Sequence, residues 1–247
     1  MIEALKRWLR GDYNSIRYRY FHLPKAWLVY TLGYRIRGKG WIDFYSKRMD
    51  GKADAPFNPK QKYLDFGQFQ LDYLKNVGLK PEHQFLDYGC GVMRTGIHLA
   101  GYLEPNRYTG VDISTNRLAN GVKLMAQHGF KKSSYEAIQV SDCYLKELEG
   151  RKFDFVFAAS VFTHLPLAEI LIALGTIRDL LTPDGVFYFT YAEADTQRRK
   201  NIKDFWYRRE QLEQACLDAG LEFSVMDDYS ILDDVMVRAQ RPKAKGA

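Results

Sequence analysis

Past residue 60, short apolar runs alternate with segments in which apolar residues recur every three or four positions. HQFLDYG (83–89), RYTGVDI (107–113), YEAIQV (135–140), FDFVFAAS (153–160) and GVFYFTYAE (185–193) are brief and rich in β-branched and aromatic residues, which predicts strands. Between them, QKYLDFGQFQLDYLKNVG (61–78), RTGIHLAGYL (94–103) and the segment from Ser114 to about Ala126 carry the helical period. LAEILIALGTIRDLL (167–181) does too, with a T-P-D-G turn at 182–185 to stop it, as does RREQLEQACLDAG (208–220), which Gly220 ends. Ser114 is placed to cap its helix. Two last strands, LEFSVMD (221–227) and DDVMVRAQ (233–240), follow one another across a short turn at 228–232.

Strands alternating with helices predict an α/β fold: a mostly parallel sheet covered by helices on both faces. Two strands joined by a short turn must pair antiparallel, so one strand of that sheet is expected to be reversed. The first sixty residues read differently, as short helices broken at Gly11, Pro24 and Gly38 to Gly40, with GKADAPFNPK (51–60) as a boundary. The organisation expected is a helical N-terminal extension over 1–60, a main domain over 61–240 and a frayed tail, RPKAKGA, over 241–247.

Charge sharpens that division. Residues 1–60 hold 13 Lys and Arg against 5 Asp and Glu, whereas the remainder holds 23 against 25. The excess of positive charge belongs to the N-terminal quarter, which suits an anionic partner: membrane headgroups, nucleic acid or a phosphorylated substrate. Trp8, Trp27 and Trp41 stand among those cations, a mixture found in helices lying on a membrane, and peripheral contact with the inner membrane face is one expectation. A lid over a substrate pocket is the other. Cys90, Cys143 and Cys216 are odd in number and scattered, which fits a reducing compartment and gives neither a disulfide framework nor a metal site. No signal-peptide pattern opens the chain, and the apolar run AWLVYTLGY (26–34) is about half of what a spanning helix needs. A soluble, cytoplasmic protein is expected.

The chemistry gathers at FLDYGCGVMRTG (85–96). In open α/β sheets, ligands bind outside the carboxyl ends of the strands, where this stretch lies. Gly89 and Gly91 allow a sharp turn and close approach of a ligand to the backbone. A pyrophosphate turn would have its last glycine at 94, which is Arg94, and Asp87 would repel phosphates. A carboxylate there suits a ligand with an ammonium and a sulfonium, such as S-adenosylmethionine. Asp112 ends the second strand 21 residues after Gly91, the spacing of an acid that accepts from ribose hydroxyls. Asp142, in QVSDCYL just past the third strand, is placed to read an adenine edge.

FLDYGCG, YTGVDIS, FDFVFAASVFTHLP and LLTPDGVFYFT together resemble the class I S-adenosylmethionine-dependent methyltransferases, over roughly residues 61–240. GCG-x-x-R with SVFTHLP is similar to a bacterial subgroup acting on small molecules. The resemblance implies a Rossmann-like seven-stranded sheet of order 3-2-1-4-5-7-6, strand 7 antiparallel. It also implies that Asp87, Gly89 and Gly91 line the methionine end and Asp112 the ribose. Asp142 with Cys143 would meet the adenine, and Ser160 and Val161 would flank the sulfonium. Cys90, Arg94 and Ile113 complete the cofactor set so implied. Met93 departs from the pattern, standing where many relatives have glycine, and an altered pocket wall is expected from it.

Methyl transfer needs alignment and exclusion of water, and a base only where the acceptor must lose a proton. His164 in SVFTHLP is the candidate base, weighed against a purely structural role before Pro166. Tyr191, Glu193 and Asp195 follow the fifth strand on the same rim. WIDFYSKRMD (41–50) either folds over the cofactor through Tyr45 or Arg48 or packs the N-terminal helices. TQRRKNIKDFWYRRE (196–210) carries six Lys and Arg around Phe205, Trp206 and Tyr207, and suits a phosphorylated or sugar-nucleotide acceptor, but also a nucleic acid, against the alternative of a solvated basic surface. The function expected is methyl transfer to a small-molecule acceptor, a hydroxyl of a sugar or a cell-surface or biosynthetic precursor. Two alternatives stay open: an RNA methyltransferase gripping RNA with its basic N-terminus, and a non-catalytic cofactor-binding relative. Against the first of these, SVFTHLP stands where base-amino methylases carry an Asn/Asp-Pro-Pro-Tyr/Phe motif.

Overall fold

The computed structural model describes residues 23–51, 59–195, 198–199, 203–231 and 234–243. Gly11, Trp8 and the last four residues, on which some expectations fell, lie outside them. Three helices lead in: α1 (Leu23–Gly33), α2 (Trp41–Asp50) and α3 (Gln61–Asn76). Then come β1 (Phe85–Tyr88), α4 (Gly96–Tyr102), β2 (Tyr108–Asp112), α5 (Thr115–Gln127), β3 (Glu136–Gln139) and β4 (Phe153–Ala158). The second half comprises α6 (Leu167–Leu180), β5 (Leu181–Ala192), a ribbon of β6 (Arg198–Arg199) and β7 (Phe205–Trp206), α7 (Arg209–Asp218), β8 (Glu222–Ile231) and β9 (Asp234–Gln240).

The main sheet has seven strands in the order β3-β2-β1-β4-β5-β9-β8. Strands β1 to β5 pair parallel, and β9 runs antiparallel to both its neighbours. With the ribbon set aside, this is the expected order 3-2-1-4-5-7-6 with its seventh strand reversed. The strands bury both faces. In β4, Val156 and Ala158 join a core built with α2, α6 and α7, while Phe155 and Phe157 join one built with α3, α4 and α5. This period-two division is why the strands read as nearly continuous apolar runs.

Two local expectations are corrected. The T-P-D-G segment does not separate α6 from its strand, because β5 begins at Leu181, directly after the helix. Leu181 pairs with Phe153 and the next pair is Phe155 with Val186, so residues 182–185 bulge out of a continuing strand. A Cβ at Gly185 would come within 2.8 Å of the Phe153 carbonyl oxygen, so the bulge closes tightly on glycine. Likewise β8 runs on to Ile231, through most of the segment read as a turn, with a register shift after Met226. Ser114 caps α5 as expected, its side chain accepting from the Arg117 amide at 3.2 Å. Among the described residues, no helix is long and apolar enough to cross a membrane.

Candidate functional site

The turn after β1 is held by the end of β2. Gly89 (φ +76°) and Gly91 (φ +55°) adopt the left-handed backbone that glycine alone enters cheaply. The amides of Gly89 and Cys90 both donate to the Val111 carbonyl, at 2.8 and 2.9 Å. The Gly91 amide donates to Asp112 Oδ2 at 2.8 Å, and the Ser114 amide to Oδ1 at 2.8 Å. Asp112 thus draws both loops to one carboxylate, and each oxygen keeps a further lone pair for a ligand. A Cβ on Gly89 would stand 2.5 Å from Val161 Cγ2, so the β1 turn and the β4 loop pack with no room for a side chain.

Asp87 is buried, and Tyr108 donates its hydroxyl to Oδ2 at 2.9 Å. Burial pushes its carboxyl up to about 7, against the Tyr108 hydrogen bond and the Arg94 guanidinium, which pull it down. Such a group is poised to ionise when a cation arrives. Arg94 stacks its guanidinium over Phe66 at 4.2 Å and Tyr63 at 4.7 Å, and reaches Gln70 Oε1 at 3.4 Å. Its Nε is buried without a hydrogen-bond partner. A buried cation with an unspent donor beside a buried acid fits a zwitterionic ligand terminus.

Met93 does not form the pocket wall expected of it. Its backbone takes the left-handed conformation (φ +55°), which explains why glycine suits the position. Its side chain is fully buried in the core, against Gly121 and Gly96, and faces away from the cavity. A Cβ on Gly121 would meet Met93 Cγ at 2.9 Å, so the space that the methionine fills is provided by glycine on α5.

The end of β4 supplies the opposite wall. Ser160 (φ +55°) donates its amide to Thr190 Oγ1 at 2.7 Å and its hydroxyl to Asp234 Oδ2 at 3.2 Å. In the turn that follows, His164 Nδ1 lies 3.0 Å from Asp204 Oδ1 and 3.1 Å from the Lys203 carbonyl oxygen. Both neighbours are acceptors, so Nδ1 carries the proton, and a neutral ring has its lone pair on Nε2. Lys203 Nζ in turn donates to Asp204 Oδ1 at 2.9 Å.

Helix α2 roofs the site. Trp41 Nε1 donates to the His164 carbonyl at 3.0 Å, and Ser46 Oγ to the Ile113 carbonyl at 2.8 Å. At the far end, Asp50 Oδ1 accepts from Ser114 Oγ at 2.6 Å and from the Asn116 amide at 3.2 Å, where an acid also meets the positive end of α5. The helix therefore spans from the β4 loop to the β2 loop. Of its two nominated side chains, Tyr45 faces inward, its ring 5.5 Å from that of His164, while Arg48 is exposed.

Enclosed between floor and roof is a cavity of about 360 Å³. Of the nominated residues, Asp87, Gly89, Cys90, Arg94, Asp112, Ile113, Cys143, Ser160, Val161 and His164 line it. Gly91 acts one layer back, through Asp112. Asp142 is half-buried, outside the wall, and closes a turn by accepting from the Tyr144 amide at 2.9 Å. Tyr191 and Glu193 are not among the lining residues. The Tyr191 hydroxyl donates to Glu193 Oε1 at 2.7 Å, and Arg209 clasps both Glu193 oxygens at 2.8 and 3.1 Å. Asp195 is exposed and also outside the wall. Sequence reasoning missed Arg117 and Lys203, which do line the cavity, and Asp204 behind His164. Only the basic segment at 196–210 signalled the latter two.

The sheet order and the turn between β1 and α4 give the chain a Rossmann-like fold of the kind found in methyltransferases. Residues 86–187 match the family model of a methyltransferase domain, and the chain's sheet order is that of the Rossmann-like methyltransferase fold. Among curated proteins it is 26% identical over 149 residues to an uncharacterized protein of Rickettsia prowazekii (strain Madrid E), covering 56% of each chain. It is 26% identical over 141 residues to phosphoethanolamine N-methyltransferase 2 of Caenorhabditis elegans, covering 56% of this chain and 31% of that one. The chain thus matches about half, or less, of the length of these relatives. Among solved structures, magnesium protoporphyrin IX methyltransferase from Synechocystis PCC 6803 with bound S-adenosylhomocysteine superposes with a TM-score of 0.60 at 16% identity. That superposition covers 82% of this chain and all of the other. The glycopeptide N-methyltransferase MtfA gives 0.55 at 16% identity, over 71% of this chain and 90% of that one.

Proposed function

We propose that the protein transfers the methyl group of S-adenosylmethionine to a hydroxyl of a small-molecule acceptor, with His164 removing the proton. The observation that carries this reading is the pair of acceptors on His164 Nδ1, the Asp204 carboxylate and the Lys203 carbonyl, which reserve Nε2 for a base's role. When bound, the cofactor supplies a methyl group already activated by the sulfonium. Asp112 would hold its ribose, Asp87 its ammonium and Arg94 its carboxylate. Ile113 and Cys143 would flank the adenine, and Ser160 and Val161 the sulfonium.

The chain's other work is positional. Asp204 orients the imidazole, Tyr45 and Trp41 keep water from the β4 side, and the glycine turn admits the ligand to the backbone. Arg117 and Lys203 in the wall favour an acceptor bearing negative charge, such as a phosphorylated sugar or a cell-surface precursor. Neighbours of the same fold named for porphyrin and glycopeptide methylation are consistent with a non-polymeric acceptor. The test is transfer of labelled methyl groups to a fractionated extract. Counts in small, nuclease-resistant molecules that vanish with His164→Gln support the reading, and counts in nuclease-sensitive RNA contradict it.

A further inference from the structure

Helix α1 and the 3₁₀ turn that follows it (Arg35–Arg37) have two faces with different fates. Tyr30 and Tyr34 turn inward, Tyr30 onto Trp41 and Phe44 at 5.4 and 5.3 Å, and Tyr34 onto Phe44 at 5.4 Å. Leu28, Val29, Leu32 and Ile36 turn outward and are 57%, 51%, 53% and 69% exposed. They make up half of the eight large hydrophobic residues exposed among the described residues, gathered on nine residues of chain. Isolated exposed leucines need no explanation, but a contiguous apolar strip does. Beside the strip stand Arg35, Arg37 and Lys39, all exposed and none of them in an ion pair among the described residues. Between Asp12 and Asp43 the sequence contains no acidic residue at all.

We infer that the outer face of α1 and of the 3₁₀ turn after it (Arg35–Arg37) docks on an anionic lipid surface, with Leu28, Val29, Leu32 and Ile36 in the headgroup–acyl boundary and Arg35, Arg37 and Lys39 on the phosphates. Charge complementarity selects this occupant. An apolar strip alone would serve a second copy of the chain equally well, but a second copy would bring the same uncompensated cations against these. An anionic bilayer supplies apolar depth and negative charge together, the combination that interfacial helices exploit. The same helix packs on α2, whose Ile42, Tyr45 and Met49 line the cavity. Docking therefore holds the cavity roughly one helix diameter, about 10 Å, from the headgroups.

Cosedimentation of the full-length chain with phosphatidylcholine vesicles, with and without phosphatidylglycerol, tests this. Binding is expected only to the anionic vesicles and should weaken as salt is raised. Each of Arg35→Glu and Arg37→Glu should lower partitioning by about fivefold or more. Leu32→Glu combined with Ile36→Glu should lower it more than about tenfold. Unchanged melting by circular dichroism checks that the variants fold. Equal partitioning to neutral vesicles, or none to either, overturns the inference. A dimer in light scattering that Leu32→Glu dissociates, without vesicle binding by the parent, assigns the face to a second copy and also overturns it. Retention of RNA by the same cations in the absence of vesicle binding does so as well.

Discussion

Tyr108 donates its hydroxyl to Asp87 Oδ2 at 2.9 Å, joining β2 to the last turn of β1 beneath the cavity. Burial nevertheless raises the Asp87 carboxyl to about 7, because one neutral donor does not replace the water it has lost. Two pH effects of opposite sign follow. A cationic amino-acid ligand binds the ionised acid, so affinity for S-adenosylhomocysteine should rise about tenfold from pH 6 to pH 8. The free protein should behave in reverse. A carboxyl raised above its unfolded value of 3.8 contributes stability that is full below that value and lost as the pH climbs through about 7. Asp87→Asn should flatten both profiles, read by calorimetry and by thermal melts between pH 4 and pH 8. Parallel wild-type and variant profiles would contradict the assignment.

His164 and Asp204 form the second relationship with a measurable consequence. His164→Gln should reduce turnover about 10²- to 10⁴-fold, the span of a lost general base, while S-adenosylhomocysteine affinity stays within about twofold. Asp204→Asn, which replaces the charged acceptor on Nδ1 by an amide, should lower kcat with little effect on the donor KM. A loss confined to donor binding in either variant would reassign the pair to cofactor positioning.

Met93 offers a test that separates backbone from side chain. Met93→Gly relieves a left-handed non-glycine residue, worth about 1 kcal/mol, but removes a fully buried side chain, which costs about 2–5 kcal/mol. The cavity term wins, so the variant should melt lower, destabilised by roughly 1–4 kcal/mol. Its S-adenosylhomocysteine affinity should be unchanged at a temperature where it is folded, because the side chain lies outside the cavity wall. Weaker binding in the folded variant would return Met93 to the wall.

The roof contributes through Asp50, which caps α5 from outside and ties α2 to the β2 loop. Asp50→Ala removes hydrogen bonds to a charged acceptor, each worth about 1.5–3 kcal/mol. Product release, followed by stopped flow, should therefore quicken about tenfold or more. An unchanged release rate would show that α2 does not gate the cavity.

How much of this could be read from the sequence depended on how local each feature is. The sheet order follows from the alternation of strands and helices, and Asp87, Gly89 and Asp112 sit at strand ends whose position the pattern fixes. Features made by distant partners were not legible. Trp41 meets His164 across 123 residues, and nothing in WIDFYSKRMD distinguishes a roof from a packing helix. Tyr191 and Glu193 stand on the expected rim, but Arg209 from the next helix clasps Glu193, a contact no strand-end rule foresees. Asp142 looked like an adenine reader because of its position, while its carboxylate is engaged by the backbone two residues on. The bulge at 182–185 carries the same residues as a true turn, so only the register of β4 and β5 tells them apart.

Under the proposed function, the acid-flanked glycine turn holds S-adenosylmethionine through Asp112. Titration calorimetry of S-adenosylhomocysteine onto the wild-type chain and Asp112→Ala tests it most directly. One equivalent should bind the wild type, with a loss of about 100-fold in a variant that still melts cooperatively, because the two charge-assisted hydrogen bonds proposed to the ribose would be removed. No heat with the wild type, or equal affinity in the folded variant, would contradict it.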